Sequence, residues 1–357
     1  MNYQYTKQFR HALVEWFKKE KRDLPWRHTT DPYKIWVSEV MLQQTRVDTV
    51  IPYYNRFMES FPTIETLADA PQEYLLKHWE GLGYYSRARN LQAGVREVIE
   101  NYGGVVPNNR HEISKLKGVG PYTAGAILSI AYNQPEHAVD GNVMRVLSRV
   151  LNIHEDIALP KTKKIFEEAV EQLIAPEDAS AFNQGLMELG ALICTPTSPK
   201  CLLCPVREYC TAYNEGEPRE LPVKTKKIKM KHLKYDVFVC QNREGRFLLE
   251  QRPEDGLLAQ MWQFPMIEHV ESTEFMSHNE LQQQYGVCVK EQQEILNFKH
   301  IFSHLTWHVN SYFMRCEVNG IDECTGKWLT PAQIESLPMP VPMLKIWKQL
   351  QKTNHEI

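Results

Sequence analysis

The sequence predicts a multidomain fold with an all-α domain, a short basic linker and a smaller α+β domain. Up to about residue 210, apolar residues recur at the spacing of amphipathic helices. After the run VKTKKIKMKHLK, which holds six lysines and no acidic residue, they alternate with polar residues as in strands. This run marks a boundary, so the predicted domains are 1–222 and 233–357, joined by the linker 223–232.

The composition is that of a globular protein with room for two domains. Of the 357 residues, 43% are hydrophobic and 24% are charged, and no apolar run is long enough to span a membrane. The formal net charge of −3 gives no argument for nucleic-acid binding. The lysine run is typical either of a solvated linker or of a nuclear-localisation signal.

Because the chain starts without a signal peptide, we expect a protein of the cytoplasm. We also expect a monomer.

Capping residues and apolar stripes place the helices of the first domain. Asp31 and Pro32 are a capping residue and a first-turn proline, and they predict a helix over YKIWVSEVMLQQT. Near the start of the chain, Phe9, Leu13 and Phe17 recur at helical spacing. Similar stripes in TAGAILSIAY, NVMRVLSRVL and FNQGLMELGALI predict three more helices.

The second domain combines strand patterns with a closing helix. LKYDVFVCQ and RFLLEQR flank the turn NREG and predict a β-hairpin. HLTWHVNSYFMRCEV also alternates like a strand, and a final helix is predicted from Met343 to about Gln351. These elements together indicate an α+β domain.

Four cysteines in one short loop, with the spacing C-x6-C-x2-C-x5-C, predict a metal site. They are Cys194, Cys201, Cys204 and Cys210. The candidates are zinc and a [4Fe–4S] cluster. Structural zinc usually takes two close pairs, whereas this loop has one pair with a single cysteine on each side, and that spacing favours the cluster. The other cysteines lie among apolar residues and are predicted to be core thiols: Cys240, Cys288, Cys316 and Cys324.

A Gly-x-Gly turn precedes the cysteine loop by about seventy residues. In LKGVGPYTAGAI, Gly118 and Gly120 separate two apolar helical segments. Glycines let the backbone turn sharply and bring N–H groups against a phosphate, and the next helix offers its positive N-terminus. Alone this pattern is an ordinary tight turn. Together with the cysteine loop, this helical hairpin is strong evidence for phosphate binding without sequence preference.

The hairpin and the cysteine spacing together resemble the helix-hairpin-helix DNA glycosylases of the endonuclease III superfamily. In that superfamily the loop holds a [4Fe–4S] cluster and presents basic residues to DNA. Bifunctional members carry a lysine after the hairpin's proline, where it attacks the sugar as an amine nucleophile. This chain has Tyr122 after Pro121. Water must then be the final nucleophile, so we expect a glycosylase without strong lyase activity.

Two carboxylates are candidates for the chemistry. Glu39 lies on the apolar face of WVSEVMLQQT, where burial would keep it protonated, as a general acid requires. The alternative is a surface glutamate on an amphipathic helix. Asp140 precedes GNVMRVLSRVL as a natural N-cap, and the backbone N–H groups it accepts should keep it ionised. A protonated glutamate and an ionised aspartate are the pair that N-glycosidic cleavage requires.

Four segments narrow the resemblance: SEVMLQQTRV, GLGYYSRARNL, GVGPYTAGAI and VDGNV. They resemble the adenine DNA glycosylases of the MutY type, and the resemblance covers nearly the whole chain. It implies that double-stranded DNA with adenine opposite 8-oxoguanine or guanine is the substrate, and that the protein acts at the bacterial nucleoid. Glu39 would protonate the adenine and later activate water, and Asp140 would stabilise the sugar cation.

The same resemblance assigns further residues. Tyr122 and Asn142 would support the two carboxylates. The pocket for the extruded adenine would be lined by Trp26, Arg27, Leu42 and Gln184. The space around the opposite base would be occupied by Gln44, Thr45, Leu82 and Tyr84. Tyr84 would wedge into the base stack, as base flipping requires, although ordinary aromatic packing is the alternative.

The second domain resembles a NUDIX fold in the segment LLEQRPEDGLLAQMWQFPM. The hydrolase signature that should follow, an Arg-Glu and paired glutamates for Mg²⁺, is absent, and residues 268–288 read EHVESTEFMSHNELQQQYGVC. We therefore expect recognition and not nucleotide hydrolysis. In the family a Phe-Ser-His loop contacts 8-oxoguanine, and Phe302, Ser303 and His304 match it. The alternative is a strand end with a solvent-facing serine and histidine.

Two competing functions remain. One is an endonuclease III-like pyrimidine glycosylase, which Tyr122 and the added domain oppose. The other is a non-catalytic lesion-binding or nucleotide-sanitising protein. Glu39 and Asp140 oppose a purely binding role, and the missing NUDIX signature opposes nucleotide sanitising.

Overall fold

The computed structural model describes residues 3–225, 230–268, 277–318 and 326–354. Its contacts divide the chain into two compact units. The first comprises Met1–Asp69 and Asn90–Lys226, and the second comprises Ala70–Arg89 and Lys227–Ile357. The segment Ala70–Arg89, which the sequence places in the helical domain, thus belongs to the second unit. The middle of the predicted linker, 226–229, lies outside the described residues.

The described chain is helical through residue 215, as the apolar stripes predict. The α-helices are α1 Thr6–Glu20, α2 Pro32–Leu42, α3 Val47–Ser60, α4 Ile64–Asp69, α5 Gln72–Trp79, α6 Ser86–Tyr102, α7 Arg110–Ile113, α8 Pro121–Tyr132, α9 Gly141–Val150, α10 Pro160–Leu173, α11 Ala179–Leu192 and α12 Thr211–Glu215. Short 3-10 turns lie at Pro25–His28, Cys201–Leu203 and Arg207–Tyr209. In the described part of the chain, no helix is long and apolar enough to cross a membrane.

The core of the first unit lies between α1, α9, α10 and α11. Phe9 and Leu13 of α1 pack with Val143, Phe166 and Phe182, and all five side chains are fully buried. Each helix therefore buries the stripe that its apolar periodicity defines. This packing fixes the N-terminus of α9 and one face of α11, and both contribute side chains to the candidate active site.

Helix α2 begins as predicted but ends early. Asp31 caps it by accepting a hydrogen bond from the Tyr33 backbone N–H (2.9 Å). The predicted helix runs to Thr45, whereas α2 ends at Leu42. Gln44 has a φ of +57°, a left-handed conformation that cannot continue a right-handed helix. The two residues after α2 therefore turn away from the helix axis.

The second unit is built on a seven-stranded sheet, counted over the described residues. Its strands are β1 Lys231–Gln241, β2 Phe247–Gln251, β3 Trp262–Gln263, β4 Met266–Glu268, β5 Val287–Ile301, β6 Leu305–Val318 and β7 Lys327–Leu329. The order is β3-β2-β1-β6-β5, with β4 paired to β1 and β7 to β2. Only β1 and β6 run parallel among these pairs. The predicted hairpin is β1–β2.

Helices α13 Ser277–Tyr285, α14 Pro331–Ser336 and α15 Val341–Asn354 complete this unit. Trp307, Val309 and Trp347 belong to the buried cluster that includes residues of α15, on one face of the sheet. Cys240 and Cys316 are buried in a second cluster on the other face, as expected of core thiols, and Cys288 is half-buried. Cys324 lies outside the described residues, as do positions 269–276 of the segment that replaces the hydrolase signature.

Candidate active site

A cavity of about 680 Å³ in the first unit gathers the residues to which the sequence assigns catalysis and base binding. It lies between the C-terminal end of α2, the N-termini of α8 and α9, and one face of α11. Its lining includes Trp26, Arg27, Glu39, Leu42, Gln44, Thr45, Gly118, Gly120, Tyr122, Asp140, Asn142 and Gln184. The structure brings these residues together in one cavity, and the role of each residue stays a prediction.

Glu39 is a buried carboxyl group on α2, only 5% exposed. The Tyr122 hydroxyl donates a hydrogen bond to its Oε2 (2.6 Å). Burial raises the pKa of Glu39 to about 7, and the charge of Asp140 acts in the same direction, whereas the Tyr122 hydrogen bond and the charge of Arg27 oppose it. The surface alternative for Glu39 is therefore wrong, and the group can be protonated near neutral pH.

Tyr122 lies in the first turn of α8, directly after the Gly-x-Gly turn and Pro121. Burial, together with the nearby Glu39 and Asp140 carboxyl groups, holds its pKa well above the ordinary value. Its proton therefore stays on the phenol and is available to Glu39. A hydroxyl here supplies a hydrogen bond and no amine nucleophile.

Asp140 caps α9 as predicted. Its Oδ1 accepts from the Val143 backbone N–H (2.7 Å), and its Oδ2 accepts from the Asn142 side-chain amide (2.9 Å). Burial nevertheless raises the pKa of Asp140 above its ordinary value, against the hydrogen bonds and the Arg145 charge that lower it. The sequence predicted the cap but not this upward direction, because the burial of the cap residue depends on tertiary packing.

Arg145 connects the cavity wall to the cysteine loop. Its guanidinium donates to Asn142 Oδ1, to the Gly190 carbonyl and to the Cys194 carbonyl, each at 2.8 Å. Asn142 in turn donates to Asp140. The first cysteine of the loop is thus three hydrogen bonds away from a candidate catalytic carboxylate.

Glu188 and Arg22 are cavity residues that the sequence reasoning missed. Glu188 is only 1% exposed and accepts bidentate hydrogen bonds from Arg22 (2.9 and 2.7 Å) and from Arg27 (both 2.9 Å). Burial would raise the pKa of Glu188, but these hydrogen bonds outweigh it and lower the pKa to about 2. The spacing of Gln184 and Glu188 by four residues on α11 was the available signal, since such residues share one helix face.

The four cysteines of the predicted metal site line one pocket with apolar walls, among them Val146, Leu189 and Val206. Burial raises the pKa of Cys204 to about 12 and that of Cys210 to about 11, so a bound metal must displace these protons. Among the described residues, no three His, Cys, Asp or Glu side chains are arranged for a single metal ion.

Arg149 stabilises this loop through hydrogen bonds. It is buried, and it donates to Cys194 Sγ (3.2 Å), to the carbonyls of Thr195 (2.8 Å) and Pro196 (3.0 Å), and to the carbonyl of Leu221 (2.9 Å). N–H donors to sulfur and a mostly apolar shell are features that suit thiolate-bound iron–sulfur clusters. The donor set and its surroundings therefore fit such a group.

The residues predicted to surround the opposite base are divided between the two units, because Gln44 and Thr45 line the cavity of the first unit. The other predicted recognition residues lie in the second unit, around a cavity of about 370 Å³. Its lining includes Leu82, Tyr84, Phe302, Ser303 and His304. Tyr84 is 43% exposed, with a φ of +48°, and its hydroxyl shares a hydrogen bond with Ser303 Oγ. Leu82 is buried, and Phe302 packs edge-on against Trp307 at 4.9 Å, so these two support the cavity from within.

Comparisons with known families agree with this geometry. Residues 37–176 match the family described as HhH-GPD superfamily base excision DNA repair protein. Residues 194–210 match the iron–sulfur binding domain of endonuclease III, which decides for an iron–sulfur group and against zinc in this loop. Residues 236–349 match the NUDIX domain.

Curated relatives match most of the chain. An adenine DNA glycosylase of Buchnera aphidicola is 34% identical over 98% of this chain and 99% of its own length. The human adenine DNA glycosylase is 34% identical, over 96% of this chain and 74% of its own length. The Arabidopsis thaliana adenine DNA glycosylase is 38% identical over 84% of this chain, which spans 56% of that longer protein.

Two solved structures resemble the helical part. A thermostable thymine-DNA glycosylase gives a TM-score of 0.54 at 33% identity, over 59% of this chain and 98% of that one. A non-covalent endonuclease III–DNA complex gives 0.50 at 27% identity, over 59% and 97%. The hairpin, the buried carboxyl pair and the cysteine loop thus define a helix-hairpin-helix base-excision repair protein. Within that class, the chain belongs to the adenine DNA glycosylase family, as its match along the whole Buchnera relative shows.

Proposed function

We propose that this protein removes adenine from DNA where it lies opposite 8-oxoguanine or guanine, by hydrolysis of the N-glycosidic bond. One observation carries the proposal: a buried glutamic acid with a pKa raised to about 7 lies in one cavity with a hydrogen-bonded aspartate. The names of the curated relatives support adenine as the base.

The reaction begins with proton donation by Glu39. With its pKa near 7, a large fraction of the carboxyl group is protonated at neutral pH, and the proton passes to a ring nitrogen of the flipped adenine. The bond between the base and the sugar C1′ then breaks, and its electron pair leaves with the base. An oxocarbenium-like sugar remains.

Asp140 stabilises this cation, and water completes the reaction. The Val143 and Asn142 hydrogen bonds to its two oxygens favour the carboxylate form that a positive sugar requires. Water adds to C1′, and the Glu39 carboxylate takes the water proton, which restores the acid for the next turnover. Tyr122 cannot form a Schiff base, so the product is an abasic site in an intact strand.

The cavity suits a purine that has left the duplex. About 680 Å³ is ample for one base, and ligand cavities span roughly 300–1,000 Å³. Trp26 supplies an aromatic wall, and Arg27, held in place by its hydrogen bonds to Glu188, lines the same cavity. A flipped base is read in this way, by stacking and by hydrogen bonds to its edge.

Recognition of 8-oxoguanine is assigned to Tyr84, Ser303 and His304. The hydrogen bond between Tyr84 and Ser303 supports this assignment because it joins the two segments that the sequence singled out, within one unit. Ser303 and His304 are exposed, so their polar atoms can reach a base. We further propose that the protein acts as a monomer in the cytoplasm.

We also propose that the iron–sulfur group is a [4Fe–4S] cluster, on the basis of the cysteine spacing. Cys194, Cys201, Cys204 and Cys210 would hold it, and the bound group would tie the loop to the helical unit through iron–thiolate bonds. Freshly purified protein should be brown and contain about four irons per chain. Stoichiometric zinc without sulfide would contradict the assignment.

One assay tests the function. Duplexes with adenine opposite 8-oxoguanine, adenine opposite guanine, or an oxidised pyrimidine are incubated with excess protein, and half of each sample is treated with alkali. We expect adenine excision from the first two, with strand breaks that need alkali and little borohydride trapping. Preferential release of the oxidised pyrimidine would replace the proposal with the pyrimidine glycosylase alternative. Binding without excision of any base would leave a lesion-binding protein.

A further inference from the structure

Basic side chains gather at one end of a sheet face in the second unit. On the strands β1, β6 and β5, the residues that alternate with the buried core point to this opposite face. Lys234 of β1, His308 of β6 and Lys299 of β5 are register partners, so they form one row across the three strands. His232 lies beside this row, with its Nδ1 3.3 Å from His308 Nε2. We call these four residues the basic row.

The basic row is a surface feature. Lys234, Lys299 and His232 are exposed, and His308 is half-buried. Their neighbours along the strands, Trp307 and Val309, point into the buried cluster on the opposite face. At this end of the strands the alternation places the cluster around Trp307 on one side of the sheet and the basic row on the other. Farther along the strands, the face of the basic row carries the second buried cluster, with Cys240 and Cys316.

The basic row has no acidic partner, in contrast to the far end of the same strands. There, Glu317 pairs with both Arg243 and Lys290, and Arg315 pairs with Glu291. Among the described residues, no salt bridge involves Lys234 or Lys299. The nearest acid on this face, Asp236 in the adjacent row, accepts a hydrogen bond from Asn310 (2.9 Å).

The positive groups of the basic row act on His308, as their shared register position leads one to expect. Burial, together with the positive charges of Lys299, His232 and Lys234, lowers the pKa of His308 below its ordinary value. The acidic groups Asp236 and Glu294 lie farther along this face, where both act on Tyr312. An anion bound over the positive groups would reduce the electrostatic repulsion among them.

The basic row adjoins the proposed recognition loop. Lys299 lies three residues before Phe302 on β5, and the Lys231 backbone N–H donates to the His304 carbonyl (3.1 Å). Three strand residues span about 10 Å. Duplex DNA carries one phosphate charge per about 1.7 Å of its axis, so several phosphates lie within that reach of a nucleotide held at the loop.

We propose that the basic row binds the sugar–phosphate backbone of the duplex beside the nucleotide that Ser303 and His304 contact. The inference rests on the proposed function for its choice of DNA, and on the charge complementarity of this face for its position. Backbone contacts carry no sequence information, so the basic row contributes affinity and register while the loop provides lesion preference.

The test is a salt titration of DNA binding with the double variant Lys234→Gln/Lys299→Gln. Each phosphate contact contributes about −0.9 to the slope of log affinity against log salt concentration, so the slope should become shallower by nearly two. Binding near 0.1 M salt should weaken by about tenfold or more. The loss should be equal for duplexes with and without the lesion, and single-turnover excision from saturated substrate should keep its rate.

Controls are available in the same unit. Lys348→Gln/Lys352→Gln removes the same charge from exposed positions on α15 and should leave the slope unchanged. Lys234→Arg/Lys299→Arg keeps the charge and should retain wild-type binding. An unchanged slope in the glutamine variant, or an equal change in the α15 control, would overturn the proposal. If the wild-type protein released no adenine but the slope still fell as expected, the basic row would stand and the proposed function would fail.

Discussion

The two units use polar side chains in opposite ways. In the first unit, Glu39 and Asp140 are withdrawn from solvent, and burial raises the pKa of both groups. In the second unit, Tyr84, Ser303 and His304 lie exposed around an open cavity. A proton donor that works near neutral pH needs a site that disfavours its charge, whereas a group that reads a base must reach out of the fold.

This contrast separates the rate of the chemical step from the preference for one duplex over another. Changes to the buried carboxyl groups should alter the chemical step with little effect on DNA binding. Changes to the exposed loop should alter which duplex is bound, with little effect on chemistry in the bound state. The predictions below test this separation, beginning with the largest expected effect.

The largest effect should come from Glu39→Gln. The amide cannot donate the proton, and general acid catalysis is worth about 10²–10⁴ in rate, so single-turnover excision should fall by at least about a hundredfold. The Kd for the lesion duplex should stay within a few-fold of the wild-type value. In the wild-type protein the acid form is lost as pH rises through about 7, so the rate should fall on that side. Near-normal cleavage by the variant would assign the acid to another residue.

Glu188→Gln should have the largest effect on stability. Removing one partner of a buried ion pair leaves Arg22 and Arg27 without their counter-charge, which costs about 3–5 kcal/mol. Because the folded pKa of Glu188 is lowered to about 2, its stabilisation is complete above the unfolded value of about 4.3 and is lost as pH falls toward 2. Chemical denaturation at several pH values measures both effects.

The matched control for that experiment is Glu177→Gln, an exposed glutamate in the same unit. It should change the free energy of unfolding by less than about 0.5 kcal/mol. Equal stability of the two variants at pH 7 would mean that the arginine pair does not depend on Glu188.

Tyr122→Phe should have a moderate effect that appears in the pH profile. The lost hydrogen bond is one that lowers the pKa of Glu39, so the pKa should rise and the basic limb of the rate profile should move to higher pH. The rate at pH 7 should change by less than about tenfold, because the acid itself remains. A limb that moved to lower pH would show that the phenol serves another purpose.

Separately, Tyr122→Lys should raise borohydride trapping by supplying an amine.

Much of this fold could be predicted because it depends on local sequence patterns. The cap at Asp31, the cap at Asp140 and the Gly-x-Gly turn each depend on a few adjacent residues. The alternation in LKYDVFVCQ and in HLTWHVNSYFMRCEV likewise gave β1 and β6. Strand β5 was missed because its middle, KEQQE, is polar on both faces and shows no alternation.

The rest depends on contacts between distant residues. Arg22 and Glu188 are 166 residues apart, and no local pattern joins them. The segment Ala70–Arg89 belongs to the second unit through bonds such as Lys77 Nζ to the Leu337 carbonyl (3.0 Å) and the Met339 N–H to Glu80 (2.8 Å). Such partners become visible only when the chain is folded, so the domain boundary inside a helical stretch could not be read from periodicity.

The last prediction concerns the exposed loop, and it bears most directly on the contrast between the units. 8-Oxoguanine differs from guanine by an added carbonyl and by an N7 hydrogen that turns an acceptor into a donor. A side chain that bonds this altered edge discriminates by about 1–3 kcal/mol per good contact. Ser303→Ala/His304→Ala should therefore reduce the preference for the lesion pair over adenine opposite guanine by about tenfold or more.

The measurement is the ratio of the two dissociation constants at one salt concentration, because phosphate contacts shift both constants together. The matched control is Ser336→Ala/His278→Ala, which removes an exposed serine and an exposed histidine elsewhere in the second unit. Excision from fully bound lesion substrate should change less than the ratio does, since Glu39 and Asp140 are untouched. If the ratio stayed constant in the loop variant, the loop would not read the lesion. If instead the single-turnover rate collapsed with the ratio, the separation of chemistry from recognition between the two units would be wrong.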